Sequence, residues 1–159
     1  MTDYYKNRFC RLCRSRKMKN VFNLNPSPLA NAFRKNILIK NKHYPLNIYL
    51  CLDCKHLQLV NIVNPKILFS NYLYSSGASQ VYIDHLKKYS DSLTIKYDLN
   101  NKIDSICDIG SNDGIFLHFF KKKGFKVLGI EPSKNLSIIS KKRGIKTKNN
   151  FFGLTILTN

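Results

Sequence analysis

Two Cys-x-x-Cys pairs, Cys10 with Cys13 and Cys51 with Cys54, constrain this chain more than any other feature of its sequence. Each x-x spacing lets a tight knuckle aim two thiolates at one point, and four thiolates suit a tetrahedral zinc ion. A redox dithiol is the competing use of such a pair, but it needs only one pair. A closed four-thiolate site leaves no open coordination position, so its ion supplies folding energy rather than chemistry. The gap between the pairs exceeds the short spacer of the commonest four-cysteine pattern, so the intervening residues must form an excursion of their own. Pro26, Pro28 and Pro45 are expected to fix turns there and to rule out one long helix. Residues 46–50 alternate like a strand running into the second knuckle, and HLQLVNIV after them reads as its hairpin partner. His43 and His56 are within reach as spare ligands, although a surface or hydrogen-bonded histidine is the simpler reading of each.

A chain of 159 residues can bury one good core or two small ones, and a small one needs a metal or disulfides to hold it. One metal-stapled module plus one α/β piece fits that limit. The fifth cysteine, Cys107, sits in a run that reads as a buried strand and is expected to be a small core hydrophobe. No stretch approaches the roughly 18 to 20 apolar residues of a membrane span, and the N-terminus has no apolar core resembling a signal peptide. These features, with cysteine usage that points to metal, predict a cytoplasmic protein. The formal charge of +18 would ordinarily suggest a polyanionic partner. Its carriers are mostly Lys spread along the whole chain among many Asn and Ile, not an Arg-rich stripe interleaved with aromatics, so nucleic acid is discounted.

The middle of the chain begins with an apolar turn, passes through a YLYSSG stretch and enters a helical pattern. Tyr82, Leu86, Tyr89 and Leu93 give that helix one apolar face, and Ser76 or Ser79 is placed to cap it. Tyr72 and Tyr74 read as packing aromatics by composition. Their position on a Gly/Ser loop also allows a phenol to act as hydrogen-bond donor or proton carrier over a substrate.

Beyond residue 100 the pattern alternates. IDSICDI is a short apolar run ending at GSNDG, IFLHFFKKKG reads as a helix closed by Gly124, FKVLGI as a second strand, and SKNLSIISKKRG as a helix closed by Gly144. Such alternation implies a βαβ unit with a parallel sheet, whose ligand lies at the C-terminal strand ends. The turn Asp108-Ile-Gly110-Ser-Asn-Asp-Gly114 departs from the dinucleotide fingerprint. Its spacing suits S-adenosylmethionine, which has no pyrophosphate and needs close backbone approach at Gly110 and Gly114 and a carboxylate for its ammonium group. Glu131, 23 residues after Asp108, is placed to accept both ribose hydroxyls.

Taken together, the C-x-x-C pairs around PLAN and YPL, the Y-x-Y-S-S-G loop, DIGSNDG, and GIEPSKN followed by FF resemble the sugar C-methyltransferases over about residues 8–152. The resemblance implies a small zinc-binding module followed by a partial doubly wound, Rossmann-like methyltransferase domain. Residues 8–68 would be the zinc module, 69–98 the tyrosine loop and connecting helix, and 99–159 the first half of the cofactor domain. It also implies that Cys10, Cys13, Cys51 and Cys54 bind zinc and that Asp108, Gly110, Asn112, Gly114 and Glu131 bind S-adenosylmethionine. Tyr72 or Tyr74 would be the active-site tyrosine. The implied acceptor is a nucleotide-linked 4-keto deoxysugar, methylated at carbon after loss of a proton alpha to the ketone.

Family members continue with further strands and a histidine-bearing segment that nothing here matches, so the chain is expected to be C-terminally truncated, impaired by itself, and partnered by a complementing C-terminal fragment. Residues 103–109 would then form an exposed apolar edge. The alternatives are a zinc-knuckle protein that binds nucleic acid through its basic surface, or a methyltransferase acting on RNA or protein.

Overall fold

The computed structural model describes residues 3–33 and 36–153 and divides the chain into two compact units, 1–68 and 69–159. The first unit is built on β2 (Met18–Ser27), β3 (Tyr44–Cys51) and β4 (Leu57–Leu59), following a short β1 (Tyr4–Lys6). The three strands form an antiparallel sheet in the order β2-β3-β4. Pro26 and Pro45, expected in turns, lie inside β2 and β3 instead. Both fall at the register shift between Leu24 and Ser27, and a bulge is where a strand tolerates a residue that cannot donate to the ladder.

The run HLQLVNIV is likewise not one hairpin partner. Only Leu57–Leu59 pairs with β3; Val60 is buried, and Asn61–Val63 becomes β5, which pairs with β1. The chain turns there because two three-residue strands close a separate ribbon, with Tyr4 packing edge-on against Tyr44 at 5.9 Å. A short helix α1 (Pro65–Phe69) follows, with proline at its first position, where the missing N–H costs no bond.

In the second unit a 3₁₀ turn (Ser76–Ala78) leads into α2 (Gln80–Lys96), and Ser79 caps this helix by accepting the Tyr82 N–H. The strands β6 (Ser105–Ile109), β7 (Lys126–Ile130) and β8 (Thr147–Lys148) form a parallel sheet in that order, connected by α3 (Ile115–Lys122) and α4 (Lys134–Lys142). Gly124 and Gly144 follow α3 and α4 with φ of +88° and +79°, the left-handed stop that lets each helix turn back into a strand. Leu117, Phe120, Phe125, Ile130, Leu136 and Ile145 form the core of this α/β piece. Ser133, Ser137 and Ser140 are buried beside them; their small side chains let α4 approach closely, and a Cβ added at Gly114 would collide with Ser140 Oγ.

Cys107 departs from its expected burial, being exposed. Ser105, Cys107 and Ile109 share one face of β6, and that face is exposed; among the described residues β6 also pairs on one side only, with β7. Ile103 and Ile109 are also exposed, so this edge is apolar and open. Among the described residues no helix is long and apolar enough to cross a membrane.

Candidate functional site

Each Cys-x-x-Cys pair closes a knuckle of the same design. Cys10 N–H donates to Ser15 O and Arg14 N–H to Cys10 O; Cys51 N–H donates to His56 O and Lys55 N–H to Cys51 O. Arg14 and Lys55 hold the matching left-handed position, at φ of +65° and +63°. The knuckles bring all four Sγ atoms within 4.8 Å of one another, with Cys10–Cys54 and Cys13–Cys51 at 3.6 Å. Zinc–sulfur bonds of about 2.3 Å place tetrahedral neighbours about 3.8 Å apart, so the cradle has the dimensions of a zinc site. His43 and His56 are not part of the cluster.

The thiol electrostatics point the same way. Backbone N–H groups of Cys54 and Asp53 pull Cys51 down to about 6 despite its burial, and those of Cys13 and Leu12 lower Cys10. At Cys54 the His56 N–H acts downward, but burial and the neighbouring thiols outweigh it and push it up to about 12. Four thiolates cannot share this space without a cation between them, a charge that a zinc ion would supply.

The second site lies at the C-terminal ends of β6 and β7. Gly110 and Gly114 take φ of +78° and +75°, which only glycine adopts freely, and Asn112 between them is left-handed at +52°. A cavity of about 270 Å³ opens here, lined by Asp108, Gly110, Ser111 and Asn112 and walled by Tyr82, Leu86, Tyr89 and Phe116. The Asp108 carboxylate makes no hydrogen bond among the described residues. Burial, then the nearby charge of Glu131, raises its pKa, because both disfavour the ionised form.

Glu131 is buried, and both its oxygens accept backbone donors: Asn112 N–H at 2.7 Å and Ser133 N–H at 2.8 Å. It therefore ties the turn after β6 to the turn after β7. The Asn112 side chain is also engaged, accepting Ser76 N–H at 2.9 Å and donating to Tyr74 O at 3.0 Å. Tyr72 is half-buried with its ring 6.0 Å from Phe69, and Tyr74 is exposed. Neither lines the cavity.

Two features escaped the sequence reading. Tyr82 and Tyr89 looked like a packing face, yet they wall the cleft, and with His85 and Phe116 they form a run of near-parallel rings about 6 Å apart. Helical periodicity marks an apolar face without saying whether it meets a neighbour or a cavity. Asp113, inside the GSNDG turn, is 1% exposed and paired with Arg143 at 3.2 Å; its place between Gly110 and Gly114 was the available signal.

Residues 10–69 match the family model described as a putative zinc binding domain. The chain is also 28% identical over 144 residues to C-methyltransferase NovU of Streptomyces niveus, covering 87% of this chain and 33% of that protein. It thus spans about a third of the length of this relative. The domain match covers the four-cysteine site, and with this relative it makes the C-methyltransferases the family that this chain resembles.

Proposed function

We propose that the second unit is the first half of a Rossmann-like cofactor domain that binds S-adenosylmethionine, and that the chain serves methyl transfer to a carbon of a nucleotide-linked keto-deoxysugar. One observation carries this reading: two carboxylates, Asp108 and Glu131, stand at the C-terminal ends of adjacent parallel strands around a turn with left-handed glycines and an open cleft. Gly110 and Gly114 allow close main-chain approach, Asp108 would receive the ammonium group, and Glu131 would take ribose hydroxyls on the lone pairs its two N–H donors leave free. The cofactor would supply an electrophilic methyl group.

The chain's own residues bind, orient and exclude water. Tyr82, Leu86 and Phe116 present the apolar wall, and the loop bearing Tyr72 and Tyr74 is fastened to the same turns. Either phenol is a candidate proton carrier for the acceptor. The zinc module would be structural, and the open β6 edge would receive a further strand from a complementing segment.

Titration of the full, zinc-loaded chain with S-adenosylhomocysteine tests the reading. Saturable heat that disappears in Asp108→Ala is expected. No heat at millimolar nucleoside from a folded sample would remove the methyl-transfer interpretation.

A further inference from the structure

Asn112 and Asp113 belong to the glycine turn, yet their side chains reach out of it. Asp113 Oδ1 accepts the Ile115 N–H at the start of α3, at 3.2 Å. A helix start needs one such oxygen, which serine or asparagine also provides. The second oxygen is surplus to that task and takes three donors: Ser75 Oγ at 2.7 Å, Gly77 N–H at 2.8 Å and Arg143 Nη2 at 3.2 Å. Arg143 Nε also donates to Asp113 O at 3.1 Å. A carboxylate buried to 1% exposure is costly unless it is paired and fully hydrogen-bonded. Here three of its four bonds go to the neighbouring loop and the end of α4.

We infer that Asp113, with Asn112, is a positioning residue that docks the tyrosine-bearing loop of residues 72–78 onto the glycine turn. Tyr74 O, Ser75 Oγ, Ser76 N–H and Gly77 N–H, one group from each of four successive residues, all bond to these two side chains. Gly77 is part of the fit, because a Cβ there would stand 2.5 Å from Asp113 Oδ2. The other end of the loop is held from the β7 side: Tyr72 N–H donates to Ser133 Oγ at 2.9 Å, and Asn135 Nδ2 donates to Tyr72 O at 2.7 Å. Glu131 joins the two clamps through the N–H groups of Asn112 and Ser133. A ligand that draws on Glu131 is therefore felt by the loop at both ends. That the loop sets a phenol over an acceptor rests on the methyltransferase reading; the docking itself does not.

Hydrogen exchange on the full, zinc-loaded chain separates these statements. The Ser76 and Gly77 amides should exchange slowly in the parent protein and at least about tenfold faster in Asp113→Asn, the loss of one charge-assisted bond, while the α3 and β7 amides keep their protection. If Asp113→Asn also releases α3, Gly77→Ala decides, since it breaks the contact from the loop side and leaves the helix start intact; the same acceleration is expected. Parent amides at 76 and 77 exchanging at unstructured rates, or staying protected in both variants, would overturn the docking. S-adenosylhomocysteine titrated in parallel should bind folded Asp113→Asn within about threefold of the parent. Complete loss of that binding with α3 intact would make Asp113 a ligand-site residue and overturn the positioning role. No binding by the parent would sink the cofactor reading alone, leaving the exchange rates to decide the docking.

Discussion

Replacing Glu131 by Gln tests how much of the candidate cleft depends on one carboxylate. The side chain is 5% exposed and accepts Asn112 N–H at 2.7 Å and Ser133 N–H at 2.8 Å. Gln keeps one acceptor oxygen but turns an amide NH₂ toward the second donor, leaving one buried N–H unpaired against another donor. Hydrogen bonds to charged groups are worth about 1.5–3 kcal/mol, and an orphaned buried donor costs about 1–3 kcal/mol. Relief of the repulsion that helps raise Asp108 offsets part of this. The net expectation is a loss of about 1–2 kcal/mol, or roughly a 5–10 °C lower midpoint for a unit of this size. Glu131→Ala removes both acceptors and should cost about 3–4 kcal/mol, so loss of nucleoside binding in that variant alone would not distinguish a ligand from a structural tie. Thermal unfolding followed by circular dichroism, with zinc held saturating, reads both. A Gln variant within about 0.5 kcal/mol of the parent would refute the reasoning, because it would mean that the two N–H bonds are not made in solution.

Three further outcomes are expected. Chelation of the ion, or Cys13→Ser, should unfold the β2-β3-β4 sheet while the second unit retains its helices; zinc analysis should fall from one ion per chain to none, and an intact sheet without metal would contradict a structural role. In zinc-loaded protein Cys107 should react with an aromatic disulfide reagent far faster than the four clustered thiols, giving one quick equivalent; a slow fifth thiol would mean that the β6 face is covered. Asp108 has a raised pKa, so its contribution to stability is greatest below its ordinary value of 3.8 and declines as pH rises through its folded-state value. Affinity for a cationic ligand should rise over that same window, and both trends should flatten in Asp108→Asn.

The sequence made the second unit largely legible because local rules and tertiary packing agree there. Gly124 and Gly144 stop helices where their left-handed φ is needed, and Ser79 rather than Ser76 starts α2. The first unit was harder. Pro26 and Pro45 signal turns by local preference, yet a bulge absorbs both, and a bulge depends on a partner strand that the local pattern does not reveal. The β1–β5 ribbon has three residues a side, too few to show alternation. Within the site, motif spacing located Asp108 and Glu131. Asp113 and Arg143 pair across 30 positions, and no local periodicity relates a turn to the end of a later helix. The exposure of Cys107 follows from which face of β6 it occupies and what covers that face, which an apolar run does not encode.

The antiparallel register of β2 and β3 sets Met18 opposite Cys51, and β2 is exposed along nearly its whole length, so burial of one face does little to specify that register. A slip of one residue would carry Cys51 about 3.3 Å along the strand and turn its sulfur to the opposite face, far outside the 3.6 Å spacing to Cys13. An ion bound by the four thiolates would therefore act as a proofreader of strand alignment. Of the pairings this hairpin can sample, it would reward only the one in which both knuckles meet, so metal supply would set how much of the chain settles there.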